Sequence, residues 1–136
     1  MSDFSWPAEL RINADRNCLA VHYPDGTVEP LDAEYLRVFT PSAERTGHGG
    51  RRTVIGGKAK VRIDAVAPIG RYAVRISFDD GHSTGIYPLT SLHTLAAEHG
   101  ANWAQYEAEL AALGLDRDRP GSAPAPLNKT SAALSD

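Results

Sequence analysis

The stretch RYAVRISFDDGHSTGIY, residues 71–87, constrains this chain more than any other. Tyr72, Val74, Ile76 and Phe78 alternate with Ala73, Arg75 and Ser77, a period of two that a β-strand places on one face. Asp79-Asp80-Gly81 is turn chemistry: glycine enters the left-handed region without a Cβ penalty, and aspartate bonds nearby backbone. The chain then returns as a second strand, so the segment is a hairpin. Register decides what faces the core. A two-residue loop, Asp80-Gly81, sets Asp79 opposite His82 and Ile86 opposite Arg75. A three-residue loop, Asp79–Gly81, sets Phe78 opposite His82 and Ile86 opposite Val74. The longer loop keeps the apolar side chains together, and a slip of one residue would turn them outward. It is therefore the expected register. His82 then stands beside Phe78 at the rim of the core face, where a half-buried imidazole needs a hydrogen-bond partner. The expected role is a packed, satisfied histidine rather than a ligand.

The remainder reads as short elements around turns. Leu10 to Ile12 begins a strand, NADRN is turn material, and Leu19, Val21 and Tyr23 alternate. Pro24-Asp25-Gly26 fits a three-residue hairpin loop with a left-handed glycine. Asp32 opens a short helix with Leu36 and Phe39 as its apolar positions, and Pro41 ends it. Residues 40–57 carry no periodicity, which is long for a connection inside a domain. Val61 and Ile63 restore strand alternation. Near the C-terminus, Thr90 or Ser91 caps a helix whose Leu92, Leu95, Ala96 and His99 share a face, and Gly100 stops it. Asn102 with Gln105 then forms a capping box for a helix presenting Trp103, Tyr106, Leu110 and Leu113. The segments VHYPDGTVEPLDAEYLRVF and ISFDDGHSTGIYPLTSLHTL both run strand, turn, strand, Pro-Leu, helix. They suggest two related halves, although such turns and helix starts are common in unrelated sequences. The expected fold class is α+β: antiparallel β hairpins, a short middle helix and two C-terminal helices. The domain is expected over residues 1–115, with a disordered tail over 116–136, which is rich in Pro, Ser and Ala.

Bulk properties set the outer limits. At 136 residues one domain can bury a core without disulfides or metal. A net charge of -3 gives no global pull toward nucleic acid or membrane. Cys18 is the sole cysteine, so no internal disulfide or thiolate-rich zinc site can form, and it is expected to be a buried small hydrophobe. No run approaches the roughly 20 apolar residues a spanning helix needs. The first ten residues lack the basic-then-apolar order of a secretory signal, so a cytoplasmic location is expected.

The strings LRVFTPSAERTGHGG and GKAKVRIDAVAPIGRYAVRISFDDGHSTGIYPLTSL resemble a domain of unknown function, DUF971, found at the N-terminus of γ-butyrobetaine and trimethyllysine hydroxylases. The resemblance spans residues 9–100 and is strongest to a small stand-alone bacterial form. In the hydroxylases it implies a structural zinc held by three cysteines after the LR helix and one histidine after the DG turn. The histidine maps onto His82, while the cysteine positions fall around Thr40, Ser42 and Arg45, none of them a cysteine. The resemblance thus implies a scaffold whose zinc site is degenerate, and no cofactor is expected. Related domains are fused to Mrp/ApbC-type ATPases that handle iron–sulfur clusters. Oxygenase activity does not follow. His22, His48, His82, His93 and His99 are each followed two residues on by a non-acidic residue, so the His-x-Asp/Glu start of an iron facial triad is missing.

Residues 45–62 hold Arg45, Arg51, Arg52, Lys58, Lys60 and Arg62 and no acid. This glycine-rich arm, with His48 inside it, is a candidate for contact with an anion, RNA or an acidic protein surface. The competing reading is a solvated loop. Gly56-Gly57-Lys58 is not a phosphate loop, because Ala59 stands where Ser or Thr is required. The arm also lacks aromatic residues for base stacking. The candidate site residues are Arg45, His48, Arg51, Arg52, Lys58, Asp79, Asp80 and His82. The preferred function is a non-catalytic binding or adaptor domain with a protein partner and no membrane contact, set in iron–sulfur or metalloprotein maturation. The alternatives are a metal-ion-binding domain in which His82 and Asp79 or Asp80 loosely hold a divalent ion, or an accessory domain of a hydroxylase-type oxidoreductase.

Overall fold

The computed structural model describes residues 6–40, 53–81 and 85–124. Three strands open the chain: β1 (Glu9–Ile12), β2 (Cys18–His22) and β3 (Val28–Asp32), an antiparallel sheet in the order β1-β2-β3. The loop between β2 and β3 is the expected three-residue one. The Tyr23 N–H donates to Thr27 O at 2.9 Å, and Gly26 takes φ +94°. Asp32 ends β3 and caps α1 (Ala33–Val38) through its backbone conformation alone. After β4 (Thr53–Gly56) a second meander follows, β5 (Ile63–Ile69), β6 (Ala73–Phe78) and β7 (Gly85–Pro88), and then α2 (Leu89–Ala97). Helix α3 (His99–Leu113) and β8 (Gly121–Pro124) complete the described chain. The fold is α+β. Both segments noted for their similarity do run strand, turn, strand, helix, and each is preceded by one further strand.

The hairpin register is the alternative that was not expected. Arg75 pairs with Ile86 and Val74 with Tyr87. The reason lies in β7, whose core-facing residues are Gly85 and Tyr87, leaving Ile86 40% exposed. The tyrosine ring takes the core place, and its hydroxyl reaches Leu36 O at 2.5 Å, so a polar tip is satisfied where Ile86 has none to place. Tyr72 also lies outside the core face, at the end of the strand, against Trp6.

Two expectations for unstructured chain are corrected. Residues 53–56 form β4, and its partner is β8 from the supposed tail: Thr53 pairs with Pro124 and Gly56 with Gly121. Glycines let this happen. A Cβ at Gly56 would lie 2.5 Å from Asp116 O, and one at Gly57 would lie 2.6 Å from Pro120 Cα. At the C-terminal helices, Pro88 and not Thr90 or Ser91 caps α2, and Glu98 separates the helices while Gly100 lies within α3. Asn102 is also inside α3, so no capping box forms; its Nδ2 donates to the Tyr35 hydroxyl at 3.0 Å.

One apolar cluster joins all three sheets to the helices, with Leu19, Leu31, Leu36, Ile63, Ile76 and Leu92 fully buried. Arg16 links the two meanders. It holds φ +61°, accepts the Ile63 N–H at 2.7 Å, and donates Nε to Ile63 O at 2.8 Å. No described helix is long and apolar enough to cross a membrane.

Candidate functional site

Helix α1 is six residues long and every one is buried, including Glu34 and Arg37. Charges do not enter a core unpaired, because desolvation costs several kcal/mol per ion. Each therefore finds a distant partner. Glu34 accepts two hydrogen bonds from one edge of the Arg117 guanidinium, Nε to Oε2 at 2.8 Å and Nη2 to Oε1 at 2.6 Å. That fork raises the Arg117 pKa above its ordinary value, the hydrogen bonds to Glu34 outweighing burial. Arg117 also lies over the Trp103 ring at 5.4 Å. This pair fastens the chain leading into β8 against α1.

On the other side, Arg37 Nε donates to Asp80 Oδ2 at 2.8 Å, and Lys58 Nζ meets the same oxygen. The Arg37 side chain is 9% exposed, and among the described residues its Nη1 has no hydrogen-bond partner. Arg37 lines a cleft of about 530 Å³ together with Thr53, Ile55, Gly56, Lys58 and Ser122, so α1, β4 and β8 all contribute to its wall. The two cations that line the cleft, Arg37 and Lys58, share the Asp80 carboxylate beside it. The glycines before Lys58 serve the close approach of β8 to β4, which is a structural reason for the Gly-Gly-Lys run independent of phosphate binding.

Of the candidate residues, Lys58 lines this cleft, and Asp80 is not among the lining residues but meets Lys58 and Arg37 beside it. Asp79 is not part of it: its Oδ1 accepts the Arg62 N–H at 3.0 Å and its own N–H donates to Arg62 O at 2.9 Å, extending the pairing of β5 with β6. Arg45, His48, Arg51, Arg52 and His82 lie outside the described residues. Sequence reasoning missed Arg37 and Ser122. Arg37 stood in a helical stretch with no visible partner, since Asp80 is 43 residues away. Ser122 lay in what read as tail.

No group of three or more His, Cys, Asp or Glu side chains that could hold a metal gathers among the described residues. His93 Nδ1 lies 3.2 Å from Glu29 Oε2, and the Tyr23 hydroxyl donates to Glu29 Oε1 at 2.7 Å. His99 stacks on Trp103 and edges against Tyr35. Cys18 is half-buried rather than fully so, and burial with the nearby Asp32 charge pushes its thiol pKa up. Thr40, where the resemblance places one of the cysteines, is fully buried, and a Cβ on Gly85 would come within 3.0 Å of its hydroxyl.

The model of the γ-butyrobetaine-hydroxylase-like N-terminal domain matches residues 10–93. The chain belongs to this family. Two solution NMR structures resemble the domain: one is 38% identical with a TM-score of 0.73, covering 85% of this chain and 92% of that one. The other is 36% identical with a TM-score of 0.72, covering 86% and 88%. A crystal structure at 1.93 Å of a protein of unknown function from Acidithiobacillus ferrooxidans, of the DUF971 family, is 35% identical. It covers 68% of this chain and 94% of its own, with a TM-score of 0.56. Comparison with curated proteins finds no match. The family match ends at residue 93, so α3 and β8, and with them one wall of the cleft, lie beyond it.

Proposed function

We propose that this domain is a non-catalytic binding module, an adaptor that meets an acidic group of a protein partner at the cleft beside the Asp79–Gly81 turn, in the cytoplasm. One observation carries the reading. A nine-tenths buried guanidinium lines the cleft with one nitrogen unpartnered among the described residues, beside a lysine that shares its contact with the Asp80 carboxylate. An unsatisfied buried donor costs about 1–3 kcal/mol, and such costs collect at functional sites. The fused relatives make iron–sulfur protein maturation the proposed setting.

Zinc does not fit the inherited corner. Structural zinc takes four nitrogen or sulfur ligands. His82 would be joined there by a threonine, a serine and an arginine, two hydroxyls and a cation. The chemistry of those donors opposes the ion.

The test is quantitative affinity capture from the native cell with the wild-type chain and Lys58→Glu side by side, together with zinc analysis of the purified protein. The expected outcome is a partner enriched by wild type and lost with Lys58→Glu, on a protein with substoichiometric zinc. Stoichiometric zinc bound through His82, or a partner set indifferent to the charge reversal, would replace the adaptor reading with the metal-binding one or remove the cleft from it.

A further inference from the structure

We propose that the cleft is a carboxylate site: Arg37 and Lys58 take the carboxylate of a ligand with a short aliphatic body, and Asp80 is the internal carboxylate that competes with it. This rests on the binding-module reading for the location of the working surface and goes further in naming the ligand chemistry.

Four observations converge. Arg37 and Lys58 already share a carboxylate oxygen, so their spacing suits that group. Asp80 engages the guanidinium through Nε, and Nη1 is left without an acceptor. An arginine presents a planar fork of donors matched to a carboxylate's two oxygens, so one acceptor at its edge leaves its capacity unfilled. Among the described residues, Arg37, Lys58 and Asp80 carry one net positive charge, which suits a singly charged anion better than a phosphate dianion. Finally, about 530 Å³ is far more room than a bare ion fills, and Ile55 and Pro120 lie on the same wall as Thr53 and Ser122. A pocket of this size with apolar surface beside a few placed polar groups suits a small organic acid or the end of a peptide.

The experiment is an NMR titration of the full chain at fixed ionic strength with butyrate, with inorganic phosphate, and with a tripeptide carrying either a free or an amidated C-terminus. Saturable shifts are expected at the backbone amides of Gly56, Gly57, Lys58 and Ser122 with butyrate, and weaker ones with phosphate. The free-acid tripeptide binding more tightly than butyrate would identify a peptide end as the source; butyrate binding as well would identify a small acid. Lys58→Ala weakens binding about tenfold, the value of one charge-assisted hydrogen bond. Asp80→Asn tightens it, because the competitor is gone. Lys58 is at the surface of the cleft, and its variant is expected to fold as wild type does. Absent or non-saturable shifts, tighter binding of phosphate, or weaker binding in Asp80→Asn would each overturn the carboxylate assignment. If those results came with a partner still captured in a Lys58-dependent way, the ligand class would fall and the adaptor reading would stand.

Discussion

At the scale of single residues, the positions that matter most are those whose chemistry is used for contact with distant chain. Gly57 has φ +75°, a region that favours glycine, and its absent Cβ is the space through which Pro120 passes at 2.6 Å. Gly57→Ala therefore adds backbone strain to a clash with main-chain atoms that cannot swing away. The expected loss is about 2–4 kcal/mol, read as a lower urea midpoint with unchanged slope. Gly26→Ala is the control: it shares the positive φ but has open space where the Cβ would stand, so its cost is expected to be smaller. Equal costs at the two positions would mean that the approach of Pro120 contributes nothing. Arg37 and Glu34 teach the same lesson. Their identities were plain in the sequence, but their partners Asp80 and Arg117 lie 43 and 83 residues away, and no local pattern announces such a pair.

At the scale of elements, what was legible was what is local. The Pro24–Gly26 turn, the alternation in β6 and the apolar stripe of α3 are set by neighbours in sequence, and each forms where those neighbours place it. The register of β6 with β7 was not legible, because the apolar count favoured Ile86 while the core selected Tyr87, whose hydroxyl has an acceptor waiting at Leu36. The pairing of β4 with β8 was hidden more deeply. GSAP has little β propensity, and it becomes a strand only because β4 offers an edge and two glycines offer access. This part of the candidate site was therefore closed to sequence reasoning, since one wall of the cleft is made by that strand. A chain ending at Arg119 is expected to lose about 2 kcal/mol relative to one ending at Pro124, the lost ladder bonds and apolar cover being partly offset by released chain entropy. Hydrogen exchange should show protection across Thr53–Gly56 in the longer chain and not in the shorter. Equal protection would show that β4 is held by the core alone.

At the scale of the whole molecule, the layers are joined by buried phenols. Tyr35 of α1 donates to Leu95 O of α2 at 2.6 Å, and Tyr106 of α3 donates to Ile55 O of β4 at 2.6 Å. Tyr23, at the end of β2, donates to Glu29. All three have pKa values raised above the ordinary 10.0, with burial the largest cause in each; for Tyr23 the hydrogen bond to Glu29 adds to it, and for Tyr106 the charge of Glu34. These three phenols thus keep, in the folded state, protons that the unfolded chain releases as pH rises through about 10. A raised folded pKa contributes stability that is complete below the unfolded value and is lost as pH climbs toward the folded one. Stability is therefore expected to be insensitive to these groups at neutral pH and to fall above about pH 10, by roughly 1.4 kcal/mol per pH unit for each phenol still protonated in the native state. Urea unfolding at stepped pH measures the slope, and tyrosinate absorbance of the native protein shows whether the phenols stay protonated while it falls. Tyr106→Phe removes one of these phenols, so it should lower stability near neutrality by about 1 kcal/mol, the value of its bond to Ile55, and reduce the alkaline slope. An unchanged slope in that variant would locate the alkaline sensitivity elsewhere and leave the tie between α3 and β4 to packing alone.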